Sequence, residues 1–104
     1  MYARNVTFRL KSNLHGDFTH TVENDILPLL RKQKGFRDEI MLCNAGSQDA
    51  VSISLWEHKS NAEDYSTRVF PEVLKILAKS IEGTPKVHAF ETVVSTFHNV
   101  STAV

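Results

Sequence analysis

A single cysteine, Cys43, is all the thiol in this 104-residue chain, so it cannot form an intramolecular disulfide. The chain also has no excess of either charge: twelve basic and twelve acidic side chains give a formal net charge of zero. That balance removes the electrostatic basis for binding nucleic acid or an anionic membrane surface, and neither is expected as a partner. No apolar run approaches the roughly 20 residues a membrane-spanning helix needs. The first residues lack the charged-then-apolar layout of a secretion signal, so a reduced, cytoplasmic setting is expected. There the two glycosylation-like triplets, Asn5-Val6-Thr7 and Asn99-Val100-Ser101, are chance matches. The five histidines include no pair at helical i, i+4 spacing, and Cys43 has no potential ligand close in sequence. No metal is expected, and Cys43 reads as an inert buried thiol.

What the chain does have is two kinds of hydrophobic period. Tyr2 to Leu10 alternates Tyr2, Arg4, Val6, Phe8 and Leu10 against Ala3, Asn5, Thr7 and Arg9, which is a strand. Leu14, Phe18, Val22, Ile26 and Leu29/Leu30 then recur every three or four residues, marking a helix with Ser12 or Asn13 at its start and Gly35 at its end. Pro28 removes one backbone donor inside that pattern and predicts a kink or broken turn around Asn24 to Pro28. Phe36 to Asn44 and Ala50 to His58 read as two strands of a hairpin joined by a turn at residues 45–49. Ser60 with Glu63 suggests a capping box opening a short helix to about Thr67. Phe70 to Ile81 is a second helix, stopped by Gly83-Thr84-Pro85, and Lys86 to Phe97 or His98 is the last strand.

The order β-α-β-β-α-β in one domain of this size predicts an α+β, ferredoxin-like fold: a four-stranded antiparallel sheet with both helices on one face. The domain is expected over residues 1–98, with 99–104 as a tail. The strands carry large apolar side chains on both faces, and two helices cannot cover both. A second copy of the chain is the simplest cover, so a homodimer joined through sheet faces is expected. Periodicity leaves open which face of the first strand meets the helices.

Trp56, the only tryptophan, ends the third strand on its serine face (Ser52, Ser54) rather than on its Val51/Ile53/Leu55 face. Serines leave volume beside a large ring, so Trp56 is a candidate pocket wall. His58 shares that face two residues on, where a neutral imidazole could serve as a general base. Tyr65 and Phe70 begin or flank the helices that would close the pocket, and Arg4 or Arg9 could point into it, though not both from one face.

Gly35-Phe36 after the first helix, Leu55-Trp56-Glu57 followed by Ser60-Asn61-Ala62-Glu63-Asp64-Tyr65, and Val69-Phe70-Pro71 opening the next helix together resemble the antibiotic biosynthesis monooxygenase family of dimeric α/β barrels. The resemblance runs from Tyr2 to Phe97. It implies a cofactor-independent oxygenase: a bound aromatic polyketide- or quinol-like molecule is deprotonated, and its anion reduces O2 inside a shaped, partly dry cavity. It also implies a site with Trp56 at the family's tryptophan position and Asn5 as the nearest match to its strand asparagine. The haem-degrading branch carries an axial histidine on a helix where Phe70 to Ser80 has none, so haem degradation is not expected. A non-catalytic or stress-response barrel binding a small apolar ligand, and a decarboxylase or isomerase, need the same cavity and remain open.

Overall fold

The computed structural model describes residues 1–12, 16–98 and 100. Its four strands are β1 (Tyr2–Leu10), β2 (Phe36–Cys43), β3 (Asp49–Trp56) and β4 (Ile81–Glu91), arranged β2-β3-β1-β4 with every neighbouring pair antiparallel. Helices α1 (Gly16–Thr21), α2 (Leu27–Arg31), α3 (Lys59–Arg68) and α4 (Phe70–Leu77) lie between the strands in the expected order. The α+β, ferredoxin-like arrangement is therefore present.

The first helical segment carries the break that Pro28 predicts. Val22–Ile26 forms a π-helical turn between α1 and α2, and Leu27 N–H donates to Val22 O, five residues back. Proline has no N–H to continue the α-helical ladder, so the chain takes up one extra residue in a wider turn just before it. Phe18, Val22, Ile26 and Leu30 nevertheless stay on the buried side. Leu14 and the proposed cap Asn13 lie outside the described residues.

Burial shows which face the helices cover. Arg4, Val6, Phe8 and Leu10 of β1 are buried, and the cross-strand partner of Arg4 is Ser54. Arg4, Ser52, Ser54 and Trp56 thus share the helix-covered face, together with Val73 and Leu77 of α4 in one core. The opposite face carries Ala3, Asn5 and Thr7 of β1 and, beside them, Val51, Ile53 and Leu55. Ile40 and Leu42 of β2 and His88 and Phe90 of β4 complete it. Among the described residues no helix crosses this open face, and Leu42 and Phe90 are 50% and 55% exposed.

Several boundaries differ from the sequence expectation: β2 ends at Cys43 rather than Asn44, and β3 spans Asp49–Trp56 rather than Ala50 to His58. Helix α3 starts at Lys59 rather than Ser60, because His58 occupies the capping position and donates its N–H to Asn61 Oδ1 at 3.1 Å. Helix α4 ends at Leu77, and Gly83-Thr84-Pro85 lies inside β4 instead of stopping the helix. There the register jumps from Thr7 opposite Lys86 to Arg9 opposite Glu82, a bulge that Gly83 permits at φ +67°. Strand β4 also stops at Glu91, short of the expected Phe97. Beyond it, Thr92 N–H donates to Met1 O, and His98 contacts Asp38 on β2, so residues 92–98 run from one sheet edge to the other. Val93, Val94 and Phe97 on this strap are exposed. Asn99 and residues 101–104 of the expected tail lie outside the described residues.

Candidate active site

Arg4 is the unusual residue of the helix-covered face. Its register partner Ser54 is small, and the volume a leucine would have filled is left for the guanidinium. Only 4% of Arg4 is exposed. The group lies 4.3 Å from the Phe70 ring centroid and 5.1 Å from that of Tyr65, a two-ring cation–π platform. Nη2 is buried without a hydrogen-bond partner. Burial lowers the guanidinium's pKa, opposed by Tyr65 and Glu39, yet arginine stays charged in proteins, so this is a cation with a free donor.

Facing it across β3 is Glu39 of β2. Both carboxylate oxygens accept from Ser52 Oγ, at 2.9 and 3.0 Å. Burial pushes the Glu39 pKa up to about 7, against the Ser52 hydrogen bond and the Arg4 charge, which pull it down. The Tyr65 phenol moves the same way, up to about 12, again because burial disfavours the anion. At neutral pH Tyr65 is therefore a protonated donor, while Glu39 is placed to exchange its proton near neutrality.

Two spaces meet at Glu39 and Met41. The inner one, beside Arg4, Ser54, Tyr65 and Phe70, holds about 20 Å³, room for a molecule the size of water or O2. The outer one is a cleft of about 360 Å³ between β2 and the α1–α2 segment, within the range of small-molecule sites. Its walls are Phe18, Val22, Leu27, Met41 and Cys43, with Thr19 and Glu23 as its other polar groups. The π-helical turn thus forms one side of the cleft.

The residues singled out in the sequence separate into three groups. Arg4, Tyr65 and Phe70 are brought together around the inner space. Trp56 does not line either space; it packs behind them, 0% exposed, with Nε1 donating to Ser54 Oγ at 2.9 Å. Its ring packs at 4.9 Å against Tyr65, tilted by 32°, and meets Phe36 edge-on at 5.6 Å. The pocket-wall expectation is corrected accordingly: Arg4 and Tyr65 line the inner space on the serine side, and the tryptophan packs behind Tyr65.

Asn5 points from the opposite face of β1, beside His88 and Ile53, so the sheet separates it from Arg4 and Tyr65. Its Oδ1 is buried there without a partner. His58 is exposed at the start of α3, outside both spaces. Arg9 is also on the open face, engaged with Gln48, Asp49 and Glu82. Glu39 is the residue sequence reasoning missed. The available signal was an acid alternating with Met41 and Cys43 on the strand paired to the serine face. Among the described residues no cluster of three or more His, Cys, Asp or Glu is placed to hold a metal, and no helix is long and apolar enough to cross a membrane.

No family model and no curated protein matches this sequence. Solved structures do match its fold. The ActVA-Orf6 monooxygenase of Streptomyces coelicolor, in complex with Nanaomycin D, superposes with a TM-score of 0.75 at 14% identity, covering 94% of this chain and 92% of that one. A Bordetella bronchiseptica protein, provisionally named an antibiotic biosynthesis monooxygenase, gives 0.72 at 18% identity over 89% and 97% of the two chains. SnoaB, a cofactor-independent oxygenase from Streptomyces nogalater, gives 0.71 at 14% identity over 91% and 95%. At these identities the likeness is one of architecture, and the chain has the fold of the antibiotic biosynthesis monooxygenase structures over nearly its whole described length.

Proposed function

We propose that this protein is a cofactor-independent monooxygenase that oxidises an aromatic polyketide- or quinol-like molecule with O2. The observation that carries the reading is the buried Arg4 guanidinium with its free Nη2 donor, held between aromatic rings behind an apolar cleft. A permanent cation in a dry aromatic site stabilises the oxyanion of an ionised phenol or enol far better than water-exposed lysines would. The electrons then come from the substrate itself: an activated ring CH2 and O2 become C=O and H2O. The fold's occurrence in named oxygenases, one of them bound to Nanaomycin D, supports the same reading.

Oxygen consumption with a panel of anthrone- and quinol-type compounds tests it. Uptake above the uncatalysed rate is expected, and Arg4→Met should lower kcat/KM about 10- to 100-fold, the worth of a charge-assisted hydrogen bond. Uptake at the uncatalysed rate across the panel would leave the alternative, a barrel that only binds a small ligand.

The assembly is proposed to be a homodimer through the open sheet face. Ile40, Leu42, Val51 and Ile53 are register neighbours there, Phe90 lies across β1 on the same face, and the partnerless Asn5 Oδ1 sits in the row between Ile53 and His88. Sedimentation at micromolar concentration should report a dimer, and Ile53→Asp should dissociate it. A wild-type monomer at that concentration refutes this arrangement.

A further inference from the structure

Between the outer cleft and the inner space, the described residues place one ionisable side chain that lines both, Glu39. We propose that Glu39 is the proton acceptor of the site, that Arg4 receives the oxyanion so formed, and that the substrate enters as an uncharged hydroxyaromatic. The inference rests on the reading above and adds the base and the charge class of the substrate.

The geometry carries it in three steps. A molecule resting in the cleft and directing a hydroxyl inward meets Glu39 before it meets Arg4. Ser52 Oγ has a single proton to share between the two carboxylate oxygens, which leaves lone pairs to take another. When the substrate O–H bond breaks, its proton joins a Glu39 oxygen and the electron pair stays on the substrate oxygen. The free Arg4 Nη2 is the donor behind it. Before and after the transfer the site holds one cation and one anion, so the negative charge moves without being created in a dry environment.

The other groups facing Glu39 do not compete for the proton. Arg4 on β1 has none to gain, and Tyr65 on α3 is held as the neutral phenol. Cys43 on β2 is pushed by burial toward the thiol, and Glu23 on the π-helical turn lines the outer cleft alone. With Glu23 and Glu39 both bordering the cleft, a ligand bearing its own carboxylate meets like charge. The elevated Glu39 pKa, about 7, suits a base that must exchange protons near neutrality.

The test uses a hydroxyanthraquinone that is yellow and neutral in water at pH 7 and red when ionised, so the readout does not depend on oxygen chemistry. Bound to the wild-type protein the dye should turn red, with a midpoint near pH 7. Because Glu39 keeps the dye's proton in the site, reddening on the wild type should release fewer protons to the buffer than reddening on Glu39→Gln, and with Arg4→Met the red form should lose affinity. An anthraquinone carboxylate should bind about tenfold more weakly than its uncharged counterpart, a difference of about 1.4 kcal/mol. Equal proton release from the wild type and Glu39→Gln, a dye that stays yellow or unbound on the wild type, or equal affinity for the carboxylate overturns the proposal. Should Glu39→Gln fail to fold, the wild-type colour midpoint and the carboxylate comparison decide alone. Absence of oxygen uptake with an intact colour change refutes the oxygenase reading and leaves the proton acceptor standing.

Discussion

Replacing Trp56 with alanine is expected to destabilise the protein by about 3–5 kcal/mol, the usual cost of emptying a large aromatic site in a core. The net stability of a domain this size is about 5–15 kcal/mol, so the loss would be a large fraction of the whole. The indole is completely buried, touches Phe36 and Tyr65, and satisfies Ser54. Its loss removes the surface on which Tyr65 rests and so the ring that flanks Arg4. Trp56→Phe should cost much less, since it keeps most of the volume and forfeits mainly the Nε1 hydrogen bond, worth about 1 kcal/mol. Urea midpoints of the two variants check this. An alanine variant within about 1 kcal/mol of wild type would show that the indole is not a core anchor. The phenylalanine variant is then the one to use for activity, because alanine confounds turnover with folding.

Gly35→Ala should be nearly as damaging, for a different reason. Gly35 has φ +80°, and a Cβ built there would lie 2.2 Å from Asn61 Oδ1. That oxygen accepts the His58 N–H at the start of α3, and Gly35 O accepts the Glu57 N–H at 2.7 Å. The methyl group therefore adds backbone strain of about 1–3 kcal/mol and displaces a cap worth about 1 kcal/mol. Gly83 is the internal control, with a similar φ of +67° and nothing within 4 Å of its Cβ position. Gly83→Ala should cost only the strain of the left-handed conformation, about 1–2 kcal/mol. Combining Gly35→Ala with Asn61→Ala should be less than additive, since the second change removes Oδ1 and Cγ, two of the three Asn61 atoms that the first collides with. Equal losses at the two glycines, measured by thermal or urea unfolding, would refute the account.

Element order and most spans were legible from periodicity, because the strands alternate and the helices repeat every three or four residues. Pro28 announced the irregular turn without saying that it would be π-helical. What periodicity could not supply was the pairing of faces. The more apolar side of β3, Val51/Ile53/Leu55, faces away from the helices, while the serine side is covered, which reverses the usual expectation for a strand. The reason lies on the neighbouring strands: Arg4 opposite Ser54 and Glu39 close to Ser52 need the space small residues leave. Register, a long-range property, therefore decided that Arg4 joins Tyr65 and Phe70 while Asn5 does not. Gly83-Thr84-Pro85 misled for the same reason, since a glycine followed by proline reads as a helix stop unless the strand pairing across it is known.

That bulge has a consequence for what the molecule avoids. Strand β4 is an outer strand, and its unpaired side is an invitation to any stray extended segment, which is how fibrils begin. Pro85 offers no N–H there, and the register jump interrupts the row of backbone groups near its middle. A segment docking along that margin would lose its ladder within a few residues. Side-by-side growth into an open-ended ribbon is discouraged at this edge, whereas the broad apolar face stays free to meet one matching surface and close.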